Sequence, residues 1–413
     1  MCASATSSGN ALQSQLEDLS AQLADAIEAS PSHSAYGHSS RQSRHRVASI
    51  AKAIVNTVTL PEERWLDQST TFCEILAIRL FMHWGVFDLI PAEGSVSYEE
   101  LASHLNADPS LINRIGWVLV ATGVLDQVFQ GSVAHTGRSR IYVKHNPYGC
   151  LFMIMVDNGL IPSATLMKYF DIYGRKEPVT TNHTPLCFAM GEPDTTAWDL
   201  FAKDPERLRV FLTGMKVLEN FMPVTGTYDF TWVVGRSQEC HEERILLVDI
   251  GGSQGHATAA ICSANPGILK RRCVLQDLPE VLDEVRIKDP EEIRGVQLMP
   301  VDFHREQPVK GALIYYIRHC LHDYSDDRCT IILKHIADAM APDSRLLIVE
   351  NVLQDPPSSE SVWLDFLMLN VGGKERTYGQ WDSIISNAGL KISGVFKGAT
   401  SPHGTIECTK TEK

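Results

Sequence analysis

Residues 241–413 predict a doubly wound α/β domain with a mostly parallel sheet, preceded by a helical, winged-helix-like domain. Three observations carry that prediction. Apolar runs such as "RILLVDI", "RRCVLQD", "GVQLMPVDF", "ALIYYIRHCL" and "SRLLIVENVL" alternate with helical stretches, the pattern of strands covered on both faces by crossover helices. A glycine-rich turn, "GGSQG", closes the first of these strands. Upstream, "SVSYEELASHLNADPSLINRIGWVLVATGVLDQV" and "DQVFQGSVAHTGRSRIY" read as helix, turn, helix and a two-stranded wing.

At 413 residues the chain is too long for one ordinary core, and the pattern divides it at 1–60, 61–148, 149–240 and 241–413. A hydrophobic content of 44% with 21% charged residues is that of a soluble globular protein. The net charge of -13 repels phosphate backbones and argues against a nucleic-acid partner. No apolar run reaches the roughly 18 residues of a spanning helix, and the N-terminus lacks a basic-then-apolar leader, so a cytoplasmic protein without a membrane partner is expected. The 10 cysteines are scattered, with no C-x-x-C pair and no metal-ligand spacing; neither a disulfide framework nor a metal is expected.

The elements follow in order. Leu12, Leu16, Leu19, Leu23 and Ile27 recur at helical spacing and predict an amphipathic helix that packs on a partner subunit or on the body of the fold, or else frays. "SPSHSAYGHSSRQSRHR" reads as a mobile, Ser-rich linker. Residues 71–90 are apolar nearly all round, as in a buried helix. Ser97 and Glu100 form a capping box, Asp108-Pro109 starts the next helix and Gly123 ends it. That helix carries Arg114 as its only cation among Leu111, Ile112, Ile115 and Trp117. It reads as a packing helix, not a DNA-reading one. Residues 150–240 are mostly helical by periodicity, with "DPERLRVFLTGMKVLENFM" the clearest stretch.

In "VDIGGSQGH" the acid precedes the glycines, as Asp249, Gly251, Gly252 and Gly255. This departs from the dinucleotide fingerprint, and a glycine turn by itself also serves a purely structural role. The next strand ends in Asp277, placed to accept hydrogen bonds from vicinal ribose hydroxyls. The third ends in Asp302 and Phe303, suited to an adenine's amino group and ring face. No phosphate-binding lysine follows the glycines, so the nucleoside carries no phosphates. One anchored through sugar, base and an amino-acid tail is S-adenosylmethionine.

The motifs "LLVDIGGSQGH", "QDLPEVL", "LHDYSDD" and "GGKERT", in this order and spacing, resemble the caffeic-acid-type family of S-adenosylmethionine-dependent O-methyltransferases of plants and fungi. The resemblance covers most of the chain beyond about residue 60 and implies a class I methyltransferase domain behind a winged-helix dimerisation domain, hence a homodimer. It adds Leu278 and Arg318 to the cofactor site, and places Met215, Asp323 and Met368 against the substrate. It assigns His322 as general base, with Glu350 and Glu375 orienting it. A phenol titrates at about 10 and an imidazole at about 6.5, so a neutral histidine suits the proton removal that methyl transfer needs. His319, three residues earlier, is the competing histidine and reads as a packed or solvated side chain. Ser253 stands where the family usually has a third glycine, and His304 departs from the usual residues. The implied substrate is a small phenolic or polyketide-type molecule, in a pocket lined by helices of residues 150–220 with Trp363, Phe366, Met368 and Leu369. The resemblance holds a second class of function: fungal pericyclases that keep the cofactor site without transferring methyl.

Overall fold

A computed structural model describes residues 2–30, 38–398 and 403–411, in two compact units, 1–138 and 139–413. In the first unit, helices Cys2–Glu28 and His38–Val58 pack on each other. Residues 38–46 of the expected linker are therefore helical, while 31–37 lie outside the described residues. The reason is tertiary: the partly buried Val47, Ile50 and Ile54 recur at helical spacing downstream, and the packed face carries the polar first turns with it.

The winged-helix pattern is present. Ser97 Oγ accepts the Glu100 amide at 3.1 Å and Glu100 returns a carboxylate to the Ser97 amide at 3.0 Å, fixing the start of helix Tyr98–Leu105. Asp108 caps helix Pro109–Ala121 by accepting the Ser110 amide at 2.8 Å. A Cβ on Gly116 would lie 2.3 Å from the Tyr98 ring, so the two helices can cross this closely only with glycine there. Strands β1 (Val96–Ser97), β2 (Leu125–Phe129) and β3 (Ser132–His135) form the wing in the order β1-β3-β2.

In the second unit seven strands make one sheet: β4 (Leu247–Ile250), β5 (Cys273–Asp277), β6 (Gln297–Pro300), β7 (Ile314–Arg318), β8 (Arg345–Leu353), β10 (Leu390–Lys397) and β11 (His403–Lys410), with β9 (Arg376–Thr377) pairing on β8. The order is β6-β5-β4-β7-β8-β11-β10, parallel through β8 and antiparallel for the last two. All four residues of β4 are buried, which is why the run "LVDI" shows no polar alternation. Helices Asp326–Ala339 and Tyr378–Asn387 cover one face around Trp381, and Thr231–Glu239 with His256–Ala264 cover the other. Trp381 is fully buried, and its truncation to alanine costs roughly 3–5 kcal/mol.

The chain winds outward from β4 through β5 to β6 and then returns to lay β7 on the other side of β4. That reversal opens a crevice beyond the carboxyl ends of β4 and β7, where doubly wound sheets bind ligands. No single helix among the described residues is long and apolar enough to cross a membrane.

Candidate active site

The loop after β4 is shaped by what surrounds it. A Cβ on Gly252 would lie 2.5 Å from the Asp249 carboxyl, and one on Gly251, at φ 64°, would lie 2.8 Å from the Cys320 sulfur and 3.3 Å from Phe303. Glycine is needed at both. Asp249 is buried and accepts the Thr258 hydroxyl at 2.7 Å, so it ties the loop to the following helix. Burial pushes its carboxyl up to about 6. Gly255, also at positive φ, caps helix His256–Ala264. Ser253 takes a left-handed φ of 51°, a conformation in which its Cβ is strained and a glycine is not.

Asp277 closes β5. Its Oδ2 accepts the Ser253 amide and its Oδ1 the Leu278 amide, each at 2.8 Å. A carboxylate has about four acceptor positions, so one on each oxygen stays open to a diol. Leu278 stands at the start of helix Pro279–Lys288 and is 41% exposed. Past β6, Asp302 accepts the His304 amide at 3.0 Å and pairs with Arg305 at 3.1 Å. Phe303, His304 and Tyr324 form an aromatic corner with centroid separations of 4.8, 4.7 and 6.0 Å. Arg318 at the end of β7 donates to the Met222 carbonyl, and its buried Nε has no hydrogen-bond partner.

The acids converge on one histidine. His322 Nδ1 lies 2.8 Å from Glu375 Oε1 and 3.7 Å from Glu350 Oε2, and its Nε2 lies 3.7 Å from Asp323 Oδ1. Glu350 is fully buried, and its Oε1 accepts the Cys320 and Leu321 amides at 3.0 and 2.9 Å. Burial alone would hold His322 low, but Glu350, Glu375 and Asp323 together raise it well above the usual histidine range. Burial likewise raises the Glu350 carboxyl, against the pull of His322. His319 is different. It stacks on His403 at 4.6 Å, and burial holds it well below the ordinary range. Its Nδ1 reaches Glu350 at 3.7 Å.

Met215 packs with Cys150, Ile154 and Val210. Met368 ends helix Ser359–Met368, and its carbonyl accepts the Gly373 amide at 3.0 Å. Trp363 and Phe366, expected in the pocket, are 46% and 52% exposed. A recess of ≈ 450 Å³ does include Leu369, with Met167, Phe170, Asp171, Arg175, Lys176 and Glu177. The sequence reading missed Asp365, which accepts the Glu375 amide at 2.8 Å, and Arg376, fully buried beside Glu375. The only sequence signal for Arg376 was its place in "GGKERT"; Asp365 had none.

A glycine loop, a carboxylate with open acceptor positions, an aromatic corner and an excess of acids suit a cationic nucleoside. Residues 179–391 match the family described as O-methyltransferase domain, and residues 66–145 the O-methyltransferase dimerisation domain. Methyltransferase cfoD of Aspergillus candidus is 36% identical over 91% of this chain and 94% of its own length. The chain belongs to the O-methyltransferase family. Among solved structures, OxaC in complex with sinefungin and meleagrin superposes with a TM-score of 0.83 at 22% identity, over 96% of this chain and 99% of that one. LepI in complex with S-adenosylmethionine gives 0.76 at 21% identity, over 97% and 100%. These two likenesses speak to the fold.

Proposed function

We propose that this enzyme methylates a hydroxyl, most naturally a phenolic one, of a small aromatic or polyketide-type metabolite, with His322 as general base. The observation that carries the reading is the 2.8 Å contact between His322 Nδ1 and Glu375 Oε1. With Nδ1–H donated to that carboxylate, Nε2 accepts the hydroxyl proton once the ring is neutral, and the acids that raise His322 place that neutral form on the alkaline side of the ordinary histidine range. Bound S-adenosylmethionine supplies an electrophilic methyl group. The chain's part is to seat the ribose on Asp277, hold the adenine near Asp302 and Phe303, and take the hydroxyl proton on His322 Nε2 while Asp323 orients the acceptor. Met215 and Met368 would bound the substrate.

Replacing His322 with alanine tests this. Cofactor binding should survive, turnover should fall by roughly 10²–10⁴, and the loss should shrink as pH approaches the phenol's own pKa. His319→Ala should cost far less. Unimpaired transfer by His322→Ala would overturn the assignment, and a cyclised or dehydrated product without adenosylhomocysteine would favour the pericyclase class.

We also propose a homodimer. The dimerisation-domain match supports it, as do Trp65, Phe72, Trp117 and Phe129 in the first unit, all more than half exposed. The nine free cysteines among the described residues support a reducing, cytoplasmic setting.

A further inference from the structure

The loop that carries His322 follows β7 and the segment that carries Glu375 leads into β9, 53 residues apart in sequence. Something must hold them in register. Arg376 is fully buried and its guanidinium donates in four directions: to the carbonyls of Leu321 at 3.2 Å, Tyr324 at 2.7 Å and Lys374 at 3.2 Å, and to Asp326 Oδ1 at 2.8 Å. Leu321 and Tyr324 flank His322, and Lys374 precedes Glu375. The guanidinium also lies over the Trp381 ring, 5.2 Å from its centroid, which fixes its plane. The backbones mesh at the same place: the Lys374 amide donates to the His322 carbonyl at 2.8 Å, and a Cβ on Gly373 would lie 2.0 Å from that oxygen.

We propose that Arg376 is a positioning residue for methyl transfer, clamping the His322 loop to the Glu375 segment and so setting the distance between base and carboxylate. The proposal rests on reading His322 as the base. Burying a cation is a poor route to stability, since a well-packed apolar replacement is often as good. A rigid planar fork that satisfies carbonyls on both sides of a catalytic loop is a use only arginine fits, because lysine offers a single point charge on a flexible stem. Arg376 touches neither His322's ring nor Glu375's carboxylate, and Asp326 balances its charge. Its effect is therefore geometric.

The test uses ¹⁵N-histidine NMR titration of the full chain, with the His322 signal identified by its loss in His322→Ala. Arg376→Lys should leave adenosylhomocysteine binding, read by calorimetry, within about twofold, because it lies outside the ribose and adenine contacts. It should move the His322 titration to lower pH, since Glu375 is no longer held against Nδ1. In a Glu375→Gln background the same change should move it no further. Asp326→Asn, which keeps the guanidinium but removes its outer carboxylate, should produce a smaller shift of the same sign and covers the case in which Arg376→Lys folds poorly. An unmoved titration in both variants, or an equal shift with and without Glu375, would overturn the positioning role. Failure of the base assignment is read separately, as unimpaired methyl transfer by His322→Ala.

Discussion

Asp277→Ala probes the cofactor site where its geometry is most definite. Each Asp277 oxygen has one acceptor position taken by a backbone amide at 2.8 Å and one open. Two charge-assisted bonds to a ribose diol, at roughly 1.5–3 kcal/mol each, amount to about 3–6 kcal/mol, or about 10²–10⁴ in affinity. Water entering the vacated space returns part of this, so the firm expectation is a loss of more than about tenfold. The same change strips the Ser253 and Leu278 amides of their acceptor, which loosens the glycine loop for any ligand. Titration calorimetry with adenosylhomocysteine and its 2′,3′-dideoxy analogue separates the two effects. The variant should lose far more affinity for the ribose form than for the analogue. Equal losses for both, or an unchanged affinity for adenosylhomocysteine, would refute the assignment of Asp277 to the diol.

Other consequences are as direct. Glu375→Gln removes one of the carboxylates that raise His322, so the ascending limb of the kcat–pH profile should move to lower pH while the plateau falls; a limb that stays in place would show that Glu375 does not set the base. Asp249 has its carboxyl raised from 3.8 to about 6 by burial, so its contribution to stability is full below 3.8 and is lost as pH rises through about 6. The resulting penalty at neutral pH is roughly 3 kcal/mol, and Asp249→Asn, which can still accept from Thr258, should raise the urea midpoint at pH 8 and much less at pH 4. Equal changes at both would contradict it. Light scattering at micromolar concentration should report two chains per particle, and a monomer under those conditions would rule out the proposed homodimer.

What could be read ahead of the structure follows from the range of each signal. Strands such as Leu247–Ile250 declare themselves because burial on both faces makes them continuously apolar, and the capping box at Ser97 and Glu100 is a contact over three residues. The strand-end acids Asp277 and Asp302 follow from topology. Pairing His322 with Glu375 needed the family resemblance, since no periodicity links residues 53 apart in sequence. Asp365 and Arg376 act through backbone groups of distant segments, and such contacts leave no pattern in the chain. Residues 38–46 misled for the opposite reason: their Ser-rich composition favours a linker, and packing of the helix they begin overrode it.

Methyl transfer driven by His322 can be read by incubating the protein with methyl-labelled S-adenosylmethionine and a panel of phenolic and polyketide hydroxyl compounds, wild type beside His322→Ala. Label should appear in an ether product with stoichiometric adenosylhomocysteine from the wild type, with a loss of about 10²–10⁴ in the variant. A rearranged or dehydrated product formed without adenosylhomocysteine, or equal label transfer by both proteins, would contradict it.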